Sequence, residues 1–401
     1  MLLVLALPAL AQNGRYDVAR ARDMLKRTVE VVKKSYYDPS LHGVDLDGRA
    51  KTAEDNIGKA GDFGAAFGNI AWVLDSLNDS HTHFLPPRRP YHAENGWVVT
   101  PVGSRCYVTA VKPGSDAAAQ GLKPGDQLLE WNGFPVTPAA LWKMEYSFNL
   151  LAPREAHALV VATSGEQPRK VMVKVQYVPT ERIHLSRIPP DWEDNRELLK
   201  TRFATLGSNV LIARFSTFEN DQSQSDELFE KARHYDTFVL DLRGNGGGSE
   251  EGLLRMLGHL FNHPVKLGEL VTRKGKKDLK VKPRGSHFDG SLIVLIDGRS
   301  ASSAELFARI IQLEKRGIVI GDCSSGMVMR SEVVPLVQGD EANWLTFGVQ
   351  VTVSDLIMAD GKSLEHNPVK PDEIVLPTQD DLADGRDPVL TVPLNWQVYR
   401  S

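Results

Sequence analysis

Four apolar runs in the second half of the chain, "SNVLIARF", "DTFVLDLRGN", "GSLIVLIDG" and "RGIVIGDC", constrain the fold more than any other feature. Each is continuous rather than alternating, the pattern of strands buried on both faces. Between them lie "DQSQSDELFEKARHY", "SEEGLLRMLGHLF" and "SASSAELFARIIQLEKRG", each with apolar residues at helical spacing. Strands alternating with helices imply β-α-β crossovers on a largely parallel sheet. In such sheets ligands bind beyond the carboxyl ends of the strands, which directs attention to the loops after Leu242 and Ile296.

With 401 residues the chain is too long for one ordinary domain, and its texture changes twice. Residues 12–92 are helical: "VARARDMLKRTVEVVKKSYY" places Ala19, Met24, Leu25, Val29, Val32 and Tyr36 three or four apart, and "FGAAFGNIAWVLDSL" repeats the pattern. The segment closes at "NDSHTHFLPPRRP", where prolines stop any helix. Residues 93–180 carry short β-type runs and Gly/Pro turns, with "GSDAAAQGL" as a short helix stopped by glycine. An α/β core is expected over 181–380 and a C-terminal tail over 381–401. A start of "MLLVLALPALAQ", with Ala9-Leu10-Ala11 as a small-x-small cleavage site, predicts a signal peptide at 1–11 and export to a periplasm or the exterior.

Composition narrows the function. With 42% hydrophobic and 24% charged residues the chain reads as globular, and a net charge of −4 without a long basic run gives no pull toward nucleic acid or an anionic membrane. No apolar run reaches the roughly 18 residues of a membrane span. The two cysteines, Cys106 and Cys323, fall in different predicted domains, so no disulfide framework is expected.

Two loops carry candidate chemistry. "RGNGGGSEEGLLRML" is a glycine turn feeding a helix, which suits a phosphate cradle, an oxyanion hole or a tight turn. It lacks the GK[ST] of a nucleotide loop and the last glycine of a dinucleotide fingerprint. "GRSASSAELFARIIQ" begins a helix near Ser303, with Leu306, Ile310 and Leu313 on one face and Gly317 as the expected stop. Ser302 then sits where the helix dipole favours negative charge, and equally where serine serves as an N-cap.

Together, "DLRGNGGG", "SASSAELFA", "VIGDCSSG" and "DGKSLEHNPVKPDEIV", in this order behind "GSDAAAQGLKPGDQLLEWNG", resemble the C-terminal processing, or tail-specific, serine peptidase family. The resemblance extends to "YYDP" and "NDSHTHFLPP" in the helical segment. It implies an α/β multidomain protein: an N-terminal helical cap, a PDZ-like β domain that accepts extended peptides at a sheet edge, and a β-α-β catalytic core of crotonase/ClpP-like type. It makes Ser302 the nucleophile, with the Ser303 and Gly247 amides as oxyanion donors.

The best-known members pair serine with a lysine, but Met327 occupies that position in "GDCSSGMVMRS". A thioether cannot accept a proton, and Arg330 stays charged. A branch similar to the tricorn protease core and the retinoid-binding photoreceptor proteins uses Ser-His-Glu instead. Here "DSH" supplies His81 as base and acid, "SLEHNP" supplies Glu365 as its orienter, and Ser80, Gly246 and Gly248 are supporting residues.

Rival readings are His366 as the base, His81 and His83 as metal ligands, and Glu365 as a surface partner of Lys362 or Lys370. The expectation is an exported serine endopeptidase acting on unfolded or C-terminally presented polypeptides, with no metal or cofactor. Its alternative is a binding protein for an apolar ligand or peptide on the same scaffold.

Overall fold

In the computed structural model the described residues are 17–179, 201–219, 222–285, 287–339 and 344–396; the apolar start at 1–11 lies outside them. The cap opens with the helix Val18–Ser35, capped by Asp17, which accepts from the Arg20 amide at 3.1 Å. Its Met24, Leu25, Val29 and Val32 are buried as the sequence stripe expects, but Ala19 of that stripe is exposed and Ala21 is buried in its place. A second helix, Leu46–Ile57, has too few apolar residues to announce itself, and the Asp45 cap supports it. The third, Phe63–Asp75, is capped by Asp62.

The core is a six-stranded sheet in the order 202–206, 210–214, 237–241, 291–296, 318–321, 373–374, parallel throughout after its antiparallel first pair. Alternate residues serve different cores. Phe238, Leu240, Leu292, Val294 and Ile296 pack with the helices Gln222–Ala232, Glu250–Gly258 and Ser303–Leu313. Val239, Ile293, Leu295 and Ile320 pack with Val389 and Leu390 of the helix Pro388–Trp396. Covering both faces is what makes the runs continuously apolar.

A second sheet is built on the long hairpin Met329–Gln338 and Leu345–Met358, with Val265–Thr272 and Gly275–Val281 at one end. The short strand His83–Leu85 pairs with 348–350 at the other, tying the cap to the core. The cap helices bury Phe347, Val349 and Val351 of this sheet together with Phe84. Residues 97–174 form a separate antiparallel sheet with its own core around Trp97, Val108, Leu128, Trp131 and Val161.

One helix end departs from expectation. The helix Ser303–Leu313 is terminated by Lys315 in the left-handed region at φ 51°, not by Gly317. Gly317 serves close approach instead, since a Cβ there would meet the Leu292 carbonyl oxygen at 2.4 Å.

Candidate active site

Strands 237–241 and 291–296 are parallel neighbours, so the loops that follow them emerge side by side. The Ala301 amide donates to the Asn245 carbonyl at 2.9 Å, and Ser300 Oγ to the Leu242 carbonyl at 2.8 Å. Ser302 follows with φ 53° and ψ −117°, a left-handed conformation that costs a non-glycine residue on the order of 1–3 kcal/mol. Its backbone carbonyl receives the Glu305 and Leu306 amides at 2.9 and 3.0 Å, and Glu305 three residues on completes a capping box with it. Ser302 thus stands on the kind of sharp strand-to-helix turn that exposes nucleophiles.

Gly247 lies against this turn. A Cβ on it would meet Ser302 Cβ at 2.7 Å and the Ser303 nitrogen at 3.0 Å. Its amide, expected as an oxyanion donor, instead donates to Asn245 Oδ1 at 2.8 Å, because the buried Asn245 side chain folds back under the glycines. Among the described residues the Ser303 and Gly248 amides make no hydrogen bond. The Gly247 carbonyl accepts from the Phe218 amide at 2.8 Å, and in a trans peptide the Gly248 N–H points the opposite way.

The other candidate residues gather at the turn 78–82. His81 Nδ1 lies 2.7 Å from Ser80 Oγ, and Ser80 Oγ donates to Glu365 Oε2 at 2.8 Å. The Ser80 amide donates to the other oxygen of the same carboxylate at 2.8 Å. The expected histidine and glutamate thus meet through a hydroxyl rather than directly. Since the single Ser80 proton goes to Glu365, Ser80 Oγ must accept from His81 Nδ1–H, which leaves Nε2 as an acceptor.

Burial, opposed by Asp79, holds the His81 pKa down to about 4, so the ring is neutral at ordinary pH. Burial raises Glu365, against the hydrogen bonds of Ser80 and Val328 that lower it. Asp79 fixes the turn by accepting from the His81 amide and Thr352 Oγ1, each at 2.7 Å.

Of the rivals, His366 Nε2 is bonded to the Asn78 carbonyl at 2.8 Å and lies 3.5 Å from Glu365 Oε1, and among the described residues no lysine is a partner of Glu365. His83 Nε2 is tied to the Ser80 carbonyl at 2.7 Å, its ring beside Trp142 and Tyr146. Among the described residues no three His, Cys, Asp or Glu side chains gather as a metal site. Cys106 and Cys323 are free thiols, raised in pKa chiefly by burial. No hydrogen bond joins Ser302 Oγ to His81 or to any lysine among the described residues. The two halves of the site are bridged by the segment 326–328: Met327 O accepts from the Ser302 amide at 3.0 Å, and the Val328 amide donates to Glu365 Oε2 at 2.9 Å.

Two residues escaped the sequence reading. Glu305 was signalled by its S-x-x-E spacing from Ser302, a capping-box pattern. Arg299 gave no such sign; its guanidinium reaches Val99 O at 2.7 Å and Glu145 Oε1 at 2.5 Å, pinning the 97–174 domain to the Ser302 loop.

The chain is similar to known proteins in sequence and in fold. The sequence profile of Peptidase family S41 matches residues 209–375. The chain is 26% identical over 334 residues to the chloroplastic C-terminal processing peptidase of Tetradesmus obliquus, covering 76% of this chain and 66% of that one. It is 21% identical over 372 residues to the carboxy-terminal processing protease CtpA of Bacillus subtilis, covering 87% and 68%. The chain thus spans about two thirds of the length of these relatives.

Among solved structures, mature CPAF complexed with lactacystin superposes with a TM-score of 0.67 at 16% identity, covering 92% of this chain and 95% of that one. The tricorn protease gives 0.53 at 14%, covering 96% and 37%. These likenesses bear on the fold. The class of the protein is that of a serine-type peptidase. Within that class, residues 209–375 match the model of Peptidase family S41, and the relatives named above are carboxy-terminal processing proteases.

Proposed function

We propose that the protein hydrolyses peptide bonds through an acyl-enzyme on Ser302, with His81 as base and acid and Glu365 acting on it through Ser80. The observation that carries this reading is the relay His81 Nδ1, Ser80 Oγ, Glu365 Oε2, which leaves His81 Nε2 free to accept a proton. Ser302 Oγ attacks the scissile carbonyl carbon while its proton passes to His81 Nε2, and the imidazolium so formed is stabilised by the Ser80–Glu365 pair. The oxyanion of the tetrahedral intermediate accepts from the Ser303 and Gly248 amides, with Gly247 supplying the close approach. As the intermediate collapses, the C–N bond breaks and His81 gives its proton to the leaving amine. Water then repeats the sequence on the acyl-enzyme.

The 97–174 domain is read as PDZ-like, holding an extended polypeptide by its C-terminus for delivery to Ser302. The apolar start supports export. A fluorophosphonate probe tests the core of this: it should form an adduct on Ser302 in the wild type and none in Ser302→Ala. An unlabelled wild type that also fails to cleave unfolded proteins would overturn the reading.

A further inference from the structure

Among the described residues Glu305 is the one fully buried carboxylate beside the serine turn, with 0% of its surface exposed. It is the third residue of the serine-bearing helix, yet it reaches back past the helix start. Oε2 accepts from the Ser302 amide at 3.0 Å and the Met327 amide at 2.9 Å, and Oε1 accepts from the Gly326 amide at 2.7 Å and Ser324 Oγ at 2.5 Å. Three of these donors are backbone N–H groups that cannot reverse their polarity. Both lone-pair sites of Oε2 are filled by such donors, so a proton or an amide group there would break a bond.

Ser324 Oγ in turn accepts from the Val369 amide at 2.7 Å, and the next amide along, Val328, goes to Glu365. Three successive amides, 326 to 328, are therefore shared between two carboxylates, one under the serine and one behind the histidine.

We propose that Glu305 is a positioning residue for catalysis: its ionised carboxylate holds Ser302 in its strained conformation and clamps the 324–327 strap, keeping the serine in register with the His81 relay. The proposal rests on the reading of Ser302 as nucleophile. The strap acts here through its backbone, not through the Met327 side chain. Met327 N holds the carboxylate and Met327 O holds the Ser302 amide.

Burial pushes the Glu305 pKa up to about 7, against the four bonds that lower it. No charged side chain is among its partners. Charged and titratable groups on the elements packed around it are engaged with others. Arg309 binds Asp360, Asp297 accepts from the Gly244 and Arg299 amides, Arg299 binds Glu145, and Asp322 accepts from the Gly103 amide. Asp372 accepts from Gln312 and the Val319 amide, and Lys370 acts on Cys323.

The test is the rate of fluorophosphonate labelling at Ser302 against pH, with steady-state cleavage beside it. In the wild type the rate should fall as Glu305 takes up its proton, below pH about 7, well above the titration of His81 near 4. Glu305→Gln should label roughly 10- to 100-fold more slowly, with kcat reduced, KM unchanged and no inflection in that window. Ser324→Ala, which removes one donor and leaves the carboxylate, should shift the inflection to higher pH, and it serves where Glu305→Gln does not fold. Labelling of Glu305→Gln at the wild-type rate, or an inflection that neither variant moves, overturns the proposal. A wild type with no adduct on Ser302 would instead overturn the nucleophile reading beneath it.

Discussion

Ser80 has one proton and two partners, and that arithmetic decides how the histidine is held. Its hydroxyl gives the proton to Glu365 and takes one from His81 Nδ1. Ser80→Ala would leave the ring without a tautomer-fixing acceptor and the carboxylate without a donor. The expected result is a fall in kcat/KM of roughly 10²-fold or more, while Ser80→Thr, which keeps the hydroxyl, retains most of the activity; initial rates on an unfolded protein substrate check both. Gly247 is a second residue whose role is set by space. At φ 99°, with Ser302 Cβ only 2.7 Å from where its own would stand, Gly247→Ala must push the serine turn out of place. We expect activity to be lost and stability to fall by roughly 1–3 kcal/mol, read by thermal unfolding beside probe labelling.

The loop Asp297–Ser302 acts as an element because its ends are tied to different bodies. Ser300 secures it to the Leu242 carbonyl in the core, and Arg299 reaches into the 97–174 domain, where its Nη2 also bonds Val99 O. Truncating Arg299 leaves the half-buried Glu145 without its cation, while truncating Glu145 leaves Arg299 with the Val99 carbonyl alone. A double-mutant cycle on Arg299→Ala and Glu145→Ala should therefore return a coupling of roughly 1–2 kcal/mol in chemical denaturation. A coupling near zero would mean that the Val99 carbonyl alone anchors the domain. The central elements of the core were legible because strands 237–241 and 291–296 are buried on both faces, so "TFVLDL" and "SLIVLI" read as continuous apolar runs. Less legible was the hairpin 329–338 with 345–358. Its first strand alternates exposed and half-buried residues, and its neighbours in the sheet are 83–85 and 265–272, far away in sequence. The relay was legible only as its residue types, since a hydroxyl inserted between imidazole and carboxylate leaves no mark on spacing.

The whole molecule has to hold a cap that carries the histidine against a core that carries the serine. Acid should loosen it. His157, fully buried, accepts from Asn132 on Nδ1 and faces Asn95 Oδ1 with Nε2, each at 3.1 Å, so a second ring proton would confront the Asn132 amide. Its pKa is lowered to about 4, chiefly by burial, and His81 is lowered likewise. For groups depressed in the folded state, the stabilisation is present above the unfolded value near 6.5 and lost as pH falls toward 4. Denaturation midpoints measured from pH 7 to 4 should decline through that window, and His157→Asn should flatten part of the decline. The join between cap and core is more local than this. Phe84 is fully buried, 5.4 Å from the Phe67 ring of the cap and 6.1 Å from the Phe347 ring of the core sheet. It lies in the strand that follows His81 directly, paired with Val349. Phe84→Ala removes the ring that both bodies share, at a cost of roughly 3–5 kcal/mol. Because that strand sets the height of the Ser80–His81 turn, the variant should lose hydrolysis at temperatures where circular dichroism still reports a folded chain. Probe labelling at Ser302 should fall in step, since the serine would keep its turn but lose the base across the cleft. If Phe84→Ala lowered the melting temperature and left labelling of the folded fraction unchanged, the relay would be held by the Asp79 and Thr352 contacts alone, and the cap would matter for stability without governing the site.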